Sequence, residues 1–364
     1  MKLKTLVITV AALAALSVAA YLSNQPAPPP PSDARVGQPL LDDATAEKAS
    51  ALTVSDQGKS VEVDKAGDGS WTVKSYFGLP ADFEKISRLV QDLHEAKVER
   101  FVTDNPARLS HLDFKDSRVT LGDAEGKTLW SVTLGKTPDN GNGKFIRFGD
   151  ETKAYLTAAS VWLDTDAKGW ANAQLVSVKP DDVEKVEIPL DSGSVTLSRP
   201  KKDAAWTADK TPAGMRLIAD KPASIVSSLT SLRFSDTTAP GDPAAAEAAK
   251  HEKTYKVTTF GGQTLTVVFG RKPEEKKLKL STAKDAKEDL SALTKIDTKA
   301  PAKPIEPEFD TIPAGPVFVS VVSSDPKAGV NSLMKARAFE TDDYVYTGLP
   351  AKESDLFEPA PKAK

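Results

Sequence analysis

The 364-residue chain contains no cysteine, which removes disulfides, thiolate metal sites, a cysteine nucleophile and lipid attachment through sulfur. Histidine is nearly as scarce. His94, His111 and His251 are the only three, and their wide separation argues against a histidine-built metal site or triad. Neither sign of charge dominates, with Lys+Arg 48 against Asp+Glu 51 and a formal net charge of -3. That balance excludes a protein that grips nucleic acid by bulk charge. The Gly-x-Ser-x-Gly elbow and the His-Glu-x-x-His helix are also missing. What is present is 40% hydrophobic and 27% charged, enough to bury a core over a length that suggests two domains.

One long apolar run exists, at the N-terminus. Lys2 and Lys4 precede an uncharged stretch from Thr5 to Ser23, and the next charge is Asp33, beyond Pro26-Ala27-Pro28-Pro29-Pro30-Pro31. A basic start followed by apolar residues is what the export machinery inserts, leaving the lysines on the cytoplasmic side. Cleavage near Ser17-Val18-Ala19 or Val18-Ala19-Ala20 and retention as an anchor are both open. Tyr21 and Leu22 extend the run past those cuts, and the proline tract reads as a stalk. The expectation is a single-pass inner-membrane protein, held in the bilayer through residues 5–23, with its bulk in the periplasm.

The remainder reads as two copies of one module. Asp56-Gln57-Gly58 leads into Val61 and Val63, then Gly69-Ser70-Trp71; Asp191-Ser192-Gly193 leads into Val195 and Leu197, then Trp206, 135 residues after Trp71. Alternation around a turn is a hairpin signal. Asp82 then opens a helical pattern with Phe83, Ile86, Leu89, Val90 and Leu93, matched by Asp220 with Ile225, Val226, Leu229 and Leu232; both aspartates are placed to cap. Val119-Thr120-Leu121 and Leu134-Gly135 line up with Val257-Thr258-Thr259 and Phe269-Gly270. Strands at Phe145–Phe148 and Ala154–Leu156 find partners in Ala338-Phe339 and Tyr344–Tyr346, across a charged insertion. The fold class is α+β: an N-terminal anchor helix, then two tandem modules, each a mostly antiparallel sheet with a covering helix. The expected divisions are an anchor over 1–23, a Pro-rich linker over 24–42, and modules over 43–176 and 177–358. The insertion spans about 271–316, with a helix near Lys284–Leu293.

Candidate chemistry does not survive its context. Gly141-Asn142-Gly143-Lys144 is followed by Phe145 and a strand, where a phosphate loop needs Ser or Thr and a helix. Asp164-Thr165-Asp166-Ala167-Lys168-Gly169 opens like a calcium loop, but Lys168 and Leu175 stand where oxygen ligands belong. Ser-x-x-Lys occurs at Ser198/Lys201, Ser281/Lys284, Ser324/Lys327 and Ser332/Lys335 without its companion motifs. The acidic pairs Asp181-Asp182, Asp342-Asp343 and Asp164/Asp166 read as turns and helix starts. The basic cluster Arg271-Lys272, Lys276-Lys277 and Lys279 is broken by Glu274-Glu275 and reads as a solvated loop. Trp71, Trp130, Trp162, Trp170 and Trp206 are the aromatic candidates for recognition, with Trp162 and Trp170 at the exit of the first module. No catalytic, cofactor-binding or metal-binding residue and no cofactor is assigned.

The chain resembles the bacterial "domain of unknown function 4340" family. The resemblance rests on the N-terminal anchor, the glycine hairpin leading to Gly69-Ser70-Trp71, and the helix ending in Val98-Glu99-Arg100-Phe101-Val102-Thr103-Asp104-Asn105-Pro106. It continues through Leu134-Gly135-Lys136, Tyr155-Leu156, and Trp170 to Pro180-Asp181-Asp182-Val183. It covers about residues 45–210 well and the second half loosely. It implies a membrane-anchored envelope protein, an accessory or binding subunit of an ABC-type transport or envelope system, with a membrane or envelope protein as partner. It carries over no catalytic residue. A periplasmic carboxylate-based hydrolase or glycan-binding protein and a structural spacer or scaffold are the alternatives.

Overall fold

Two strands that alternate apolar and polar residues start the fold. In the computed structural model β1 (Ala51–Asp56) pairs with β2 (Lys59–Lys65), setting Leu52 against Val63 and Val54 against Val61. The two-residue turn Gln57-Gly58 has φ 50 and 77, the mirror-type turn whose twist matches an antiparallel hairpin. The structure describes residues 33–139, 141–158, 161–278 and 309–361. The membrane segment expected at 5–23, the proline tract Pro26–Pro31 and the helix expected near Lys284–Leu293 lie outside them. No helix of the described residues is long and apolar enough to cross a membrane.

The chain divides into two units, Met1–Asn172 and Ala173–Lys364. In the first, α1 (Asp43–Lys48) precedes β1, and β3 (Trp71–Val73) and β4 (Leu79–Pro80) follow β2. Next come α2 (Phe83–Glu95), β5 (Val98–Thr103), α3 (Pro106–Leu109), β6 (Arg118–Gly122), β7 (Thr128–Leu134), β8 (Lys144–Phe148) and β9 (Ala154–Thr157). Asp82 caps α2 by accepting the Glu84 and Lys85 N–H groups at 3.1 and 3.3 Å. Ile86, Leu89 and Leu93 form its buried stripe, at about 1.5–3 kcal/mol each as an upper bound. The strands make one antiparallel sheet in the order β4-β3-β2-β1-β6-β7-β8-β9-β5. Val98–Thr103, expected as the end of the helix, is instead a strand of its own, and the helix ends at Glu95. As the edge strand it is broken by two bulges and carries Glu99 and Arg100, devices that blunt pairing with another chain.

In the second unit β10 (Val183–Leu190), β11 (Gly193–Ser198), β12 (Thr207–Ala208) and β13 (Met215–Leu217) precede α4 (Lys221–Thr230). β14 (Asp236–Thr238), α5 (Pro243–Ala248), β15 (Glu252–Thr259) and β16 (Thr264–Arg271) follow. β17 (Glu275–Leu278) and β18 (Phe309–Ile312) pair as the base of the insertion, and β19 (Val317–Ser323) re-enters the main sheet beside β16. The chain ends with α6 (Gly329–Ala336), β20 (Ala338–Thr341), α7 (Asp343–Gly348) and β21 (Phe357–Pro359). The order is β12-β11-β10-β15-β16-β19-β20-β14, again antiparallel. The protein is α+β, with two large antiparallel sheets and few helices.

Two local expectations are corrected. Asp220 does not cap α4: its backbone is helical (φ -88, ψ -13) and its side chain makes no capping bond, since a cap needs an extended residue. Tyr344–Tyr346 alternates like a strand, but the extended Asp342 starts a helix there instead.

Each unit holds a glycine against backbone, Gly135 just after β7 and Gly270 near the end of β16. A Cβ on Gly270 would meet the Ala248 carbonyl oxygen at 2.7 Å. One on Gly135 would collide with the Leu112 carbonyl oxygen and lie 3.1 Å from the Phe114 ring.

Candidate functional site

The calcium-like loop is organised around a lysine. Lys85, in the first turn of α2, pairs with the Asp164 carboxylate, donates to the Gly169 carbonyl at 2.8 Å and lies 4.8 Å from the Trp170 ring centroid. Burial pushes Asp164 up, but the Lys85 hydrogen bond and charge, with the Asp166 N–H, outweigh it and hold its carboxyl below the ordinary value. A cation therefore already sits where the loop's oxygens converge, and it comes from a distant helix. Trp170 is buried and donates to the Asp164 carbonyl at 2.9 Å, so it works within its own unit; Trp162 is 83% exposed. The other tryptophans are part-buried, and Trp130 donates to the Leu40 carbonyl at 3.0 Å.

The remaining motifs stay apart. Lys144 begins β8 rather than a helix. Ser198 ends a strand, Ser324 accepts the Thr264 N–H, and only Ser332 and Lys335 share a helix; Ser281 and Lys284 lie outside the described residues. Asp182 pairs with Lys202 at 2.5 Å and Asp343 with Arg271 at 2.7 Å. Among the described residues, every carboxylate with a resolved shift moves down, as at Asp33, Asp182 and Asp355. A general acid needs the opposite. No cluster of metal-ligating side chains occurs among the described residues.

Two concave features in the second unit collect chemistry that the sequence motifs did not indicate. At the base of the insertion, Arg271 ends β16. It pairs with Asp343, donates to the Gly315 carbonyl at 3.2 Å and lies 5.9 Å from the Tyr346 ring. Around it is a cleft of about 430 Å³ that His251, Glu252 and Glu274 also line. Behind it Tyr255 stacks edge-on against Phe269; burial, with Tyr346 nearby, pushes its phenol far above the ordinary range. The second feature is a groove of about 500 Å³ whose helical wall is the serine face of α4, closed by Arg233, Asp342 and Tyr344. Its signal was in the sequence, as Ser224, Ser227, Ser228 and Ser231 spaced to one helical face.

One buried cation marks the entry to this unit. Arg199, 9% exposed, donates to the carbonyls of Val183 at 2.9 Å, Lys202 at 2.6 Å and Pro180 at 2.8 Å. Its guanidinium also faces the Trp206 ring at 4.7 Å. It thereby fixes the Pro180-Asp181-Asp182-Val183 corner. The family model described as Domain of unknown function (DUF4340) matches residues 71–256, half of the chain. The chain belongs to this family. The DUF4340 match begins at β3 and ends in β15, so it takes in Lys85, Gly135, the Arg199 corner and the serine face of α4. It stops before Arg271, the insertion and α7. No curated protein and no solved structure matches the chain.

Proposed function

We propose that this DUF4340 protein is a non-enzymatic, membrane-anchored periplasmic subunit that binds a membrane or envelope partner, in an ABC-type transport or envelope system. We further infer that its body is one module used twice. Supporting the duplication, β10-β11-β12, α4, β14, β15-β16 and β19-β20 follow one another as β1-β2-β3, α2, β5, β6-β7 and β8-β9 do, and the sheet orders coincide apart from β4. Asn105 and Asp242 cap the short helices α3 and α5 alike. The carbonyls that follow press on Gly135 and Gly270. Even the lead-in repeats: Val98 N–H bonds the Gln38 carbonyl and Phe234 N–H the Ala173 carbonyl, each at 2.9 Å. In this correspondence Phe339 stands for Tyr155, one strand later than the sequence pairing had it, because β19 takes the place of β8. Leu121 likewise matches Val257, each facing the first strand of its unit.

The observation that carries the binding role is the asymmetry laid over this likeness. A doubled scaffold departs from itself most at the charged insertion between β16 and β19, and Arg271 clamps the base of that insertion to α7. A surface added to one copy of a rigid module is a means of recognising a partner. The full-length protein with a C-terminal tag, extracted from membranes with carbonate and weighed, tests the anchor: intact mass in the pellet is expected, and a shortened soluble product overturns it. Crosslinking in mild detergent then tests the partner. A capture that survives replacement of residues 275–312 by a short turn overturns the role given to the insertion.

A further inference from the structure

We propose that the groove between α4 and α7 binds a neutral carbohydrate. Its volume, about 500 Å³, lies within the range of roughly 300–1,000 Å³ usual for small-molecule sites. The buried side of α4 is Ile225, Val226 and Leu229, so the opposite serines contribute nothing to the core. Nor are they the residues that a solvated helix favours. The corresponding face of α2 carries Arg88 and Gln91, bonded one turn away to Glu84 and Glu95 at 2.9 and 2.7 Å. Serine is a poorer helix former than Arg, Gln or Glu. Breaking a local preference without a packing gain marks a place shaped for something else, and here the short side chains are what empty the groove.

The groups facing that space set the ligand's chemistry. The hydroxyls of Ser224, Ser227 and Ser228 and the exposed side chains of Arg233 and Asp342 make no hydrogen bond or ion pair among the described residues, which leaves them open to a ligand. Asp342 opposes an anion and Arg233 opposes a cation. A neutral molecule rich in hydroxyls satisfies both, because each hydroxyl donates to one and accepts from the other. Tyr344, 72% exposed on the rim, offers an aromatic face of the kind that covers the C–H face of a sugar ring while its own hydroxyl stays wet. A second helix laid along the serines would leave Arg233 and Asp342 buried without partners, a costly arrangement.

The test uses the purified full-length chain in detergent without any membrane partner, so its outcome is independent of the partner-binding reading. Saturation-transfer NMR and calorimetry with maltotriose, cellotriose, the N-acetylglucosamine trimer and inorganic phosphate are compared for the wild type, Tyr344→Ala, Asp342→Asn and Ser228→Leu. Binding of at least one trisaccharide is expected, weakened about tenfold or more in each variant with the unfolding midpoint unchanged for Tyr344→Ala. Silence from all three sugars overturns the proposal. So does sugar binding that all three variants leave intact, or binding of phosphate alone.

Discussion

Gly270→Ala isolates a single steric contact. Two effects oppose one another. Alanine narrows the unfolded ensemble, a gain of about 0.4–1 kcal/mol wherever the native backbone accepts it. Against this, the new methyl meets the Ala248 carbonyl oxygen at 2.7 Å, its carbon at 2.9 Å and the Ala249 nitrogen at 3.4 Å. These are backbone atoms at the end of α5 and cannot rotate away as a side chain would, and overpacking of this kind costs about 1–3 kcal/mol. The net expectation is destabilisation by about 1–2 kcal/mol. For a unit of this size each kcal/mol lowers the midpoint by about 2–4 °C. Gly241→Ala is the control, since nothing lies within 4 Å of the added methyl, and it should be neutral or slightly stabilising. Urea and thermal unfolding measure both, with a constant urea slope showing that stability alone has changed. A Gly270→Ala protein as stable as the Gly241→Ala control would refute the argument that carbonyl approach selects glycine, and would weaken the correspondence with Gly135.

Lys85→Met should destabilise the first unit by about 1–3 kcal/mol at neutral pH by leaving Asp164 half-buried without its cation. The folded carboxyl of Asp164 is depressed below 3.8, so its contribution is complete above that value and is lost as pH falls through the folded value. The variant should therefore flatten the acid limb of a stability–pH curve below about pH 4, and an unchanged limb would assign the acid sensitivity to other carboxylates. Arg199→Met, followed by urea denaturation, should cost about 3–5 kcal/mol by removing bonds to three carbonyls. Arg199→Lys should recover only part, because an ammonium cannot span that fork; full recovery would show that charge alone matters.

The elements that could be read from sequence were those whose cause is local. The Gln57-Gly58 hairpin, the Asp82 cap and the stripe Ile86, Leu89, Leu93 each follow from a few adjacent residues. The strands at Phe145–Phe148 and Ala154–Leu156 do too. Tyr344–Tyr346 misled because three alternating residues satisfy either period, and the backbone of Asp342 decides between them. Lys85 could not be assigned to the Asp164 loop, since 79 residues separate the pair and only the fold closes that distance. Arg199 is equally silent, as nothing in its neighbourhood announces burial of a charge. The serines of α4 share one helical face in the sequence, but only the fold shows that the space beside them is a groove.

Helix α7 has six residues and none of them is buried, so its position is set by what touches it. Asp343 and Tyr346 meet Arg271 at the insertion base, while Asp342, Tyr344 and Val345 line the groove on α4. One short segment thus serves as a shared wall. An occupant of either side that displaces this wall alters the affinity of the other side, and linkage makes that factor identical in both directions. For the two binding roles proposed above, the insertion base and the groove would be two inputs to one lever.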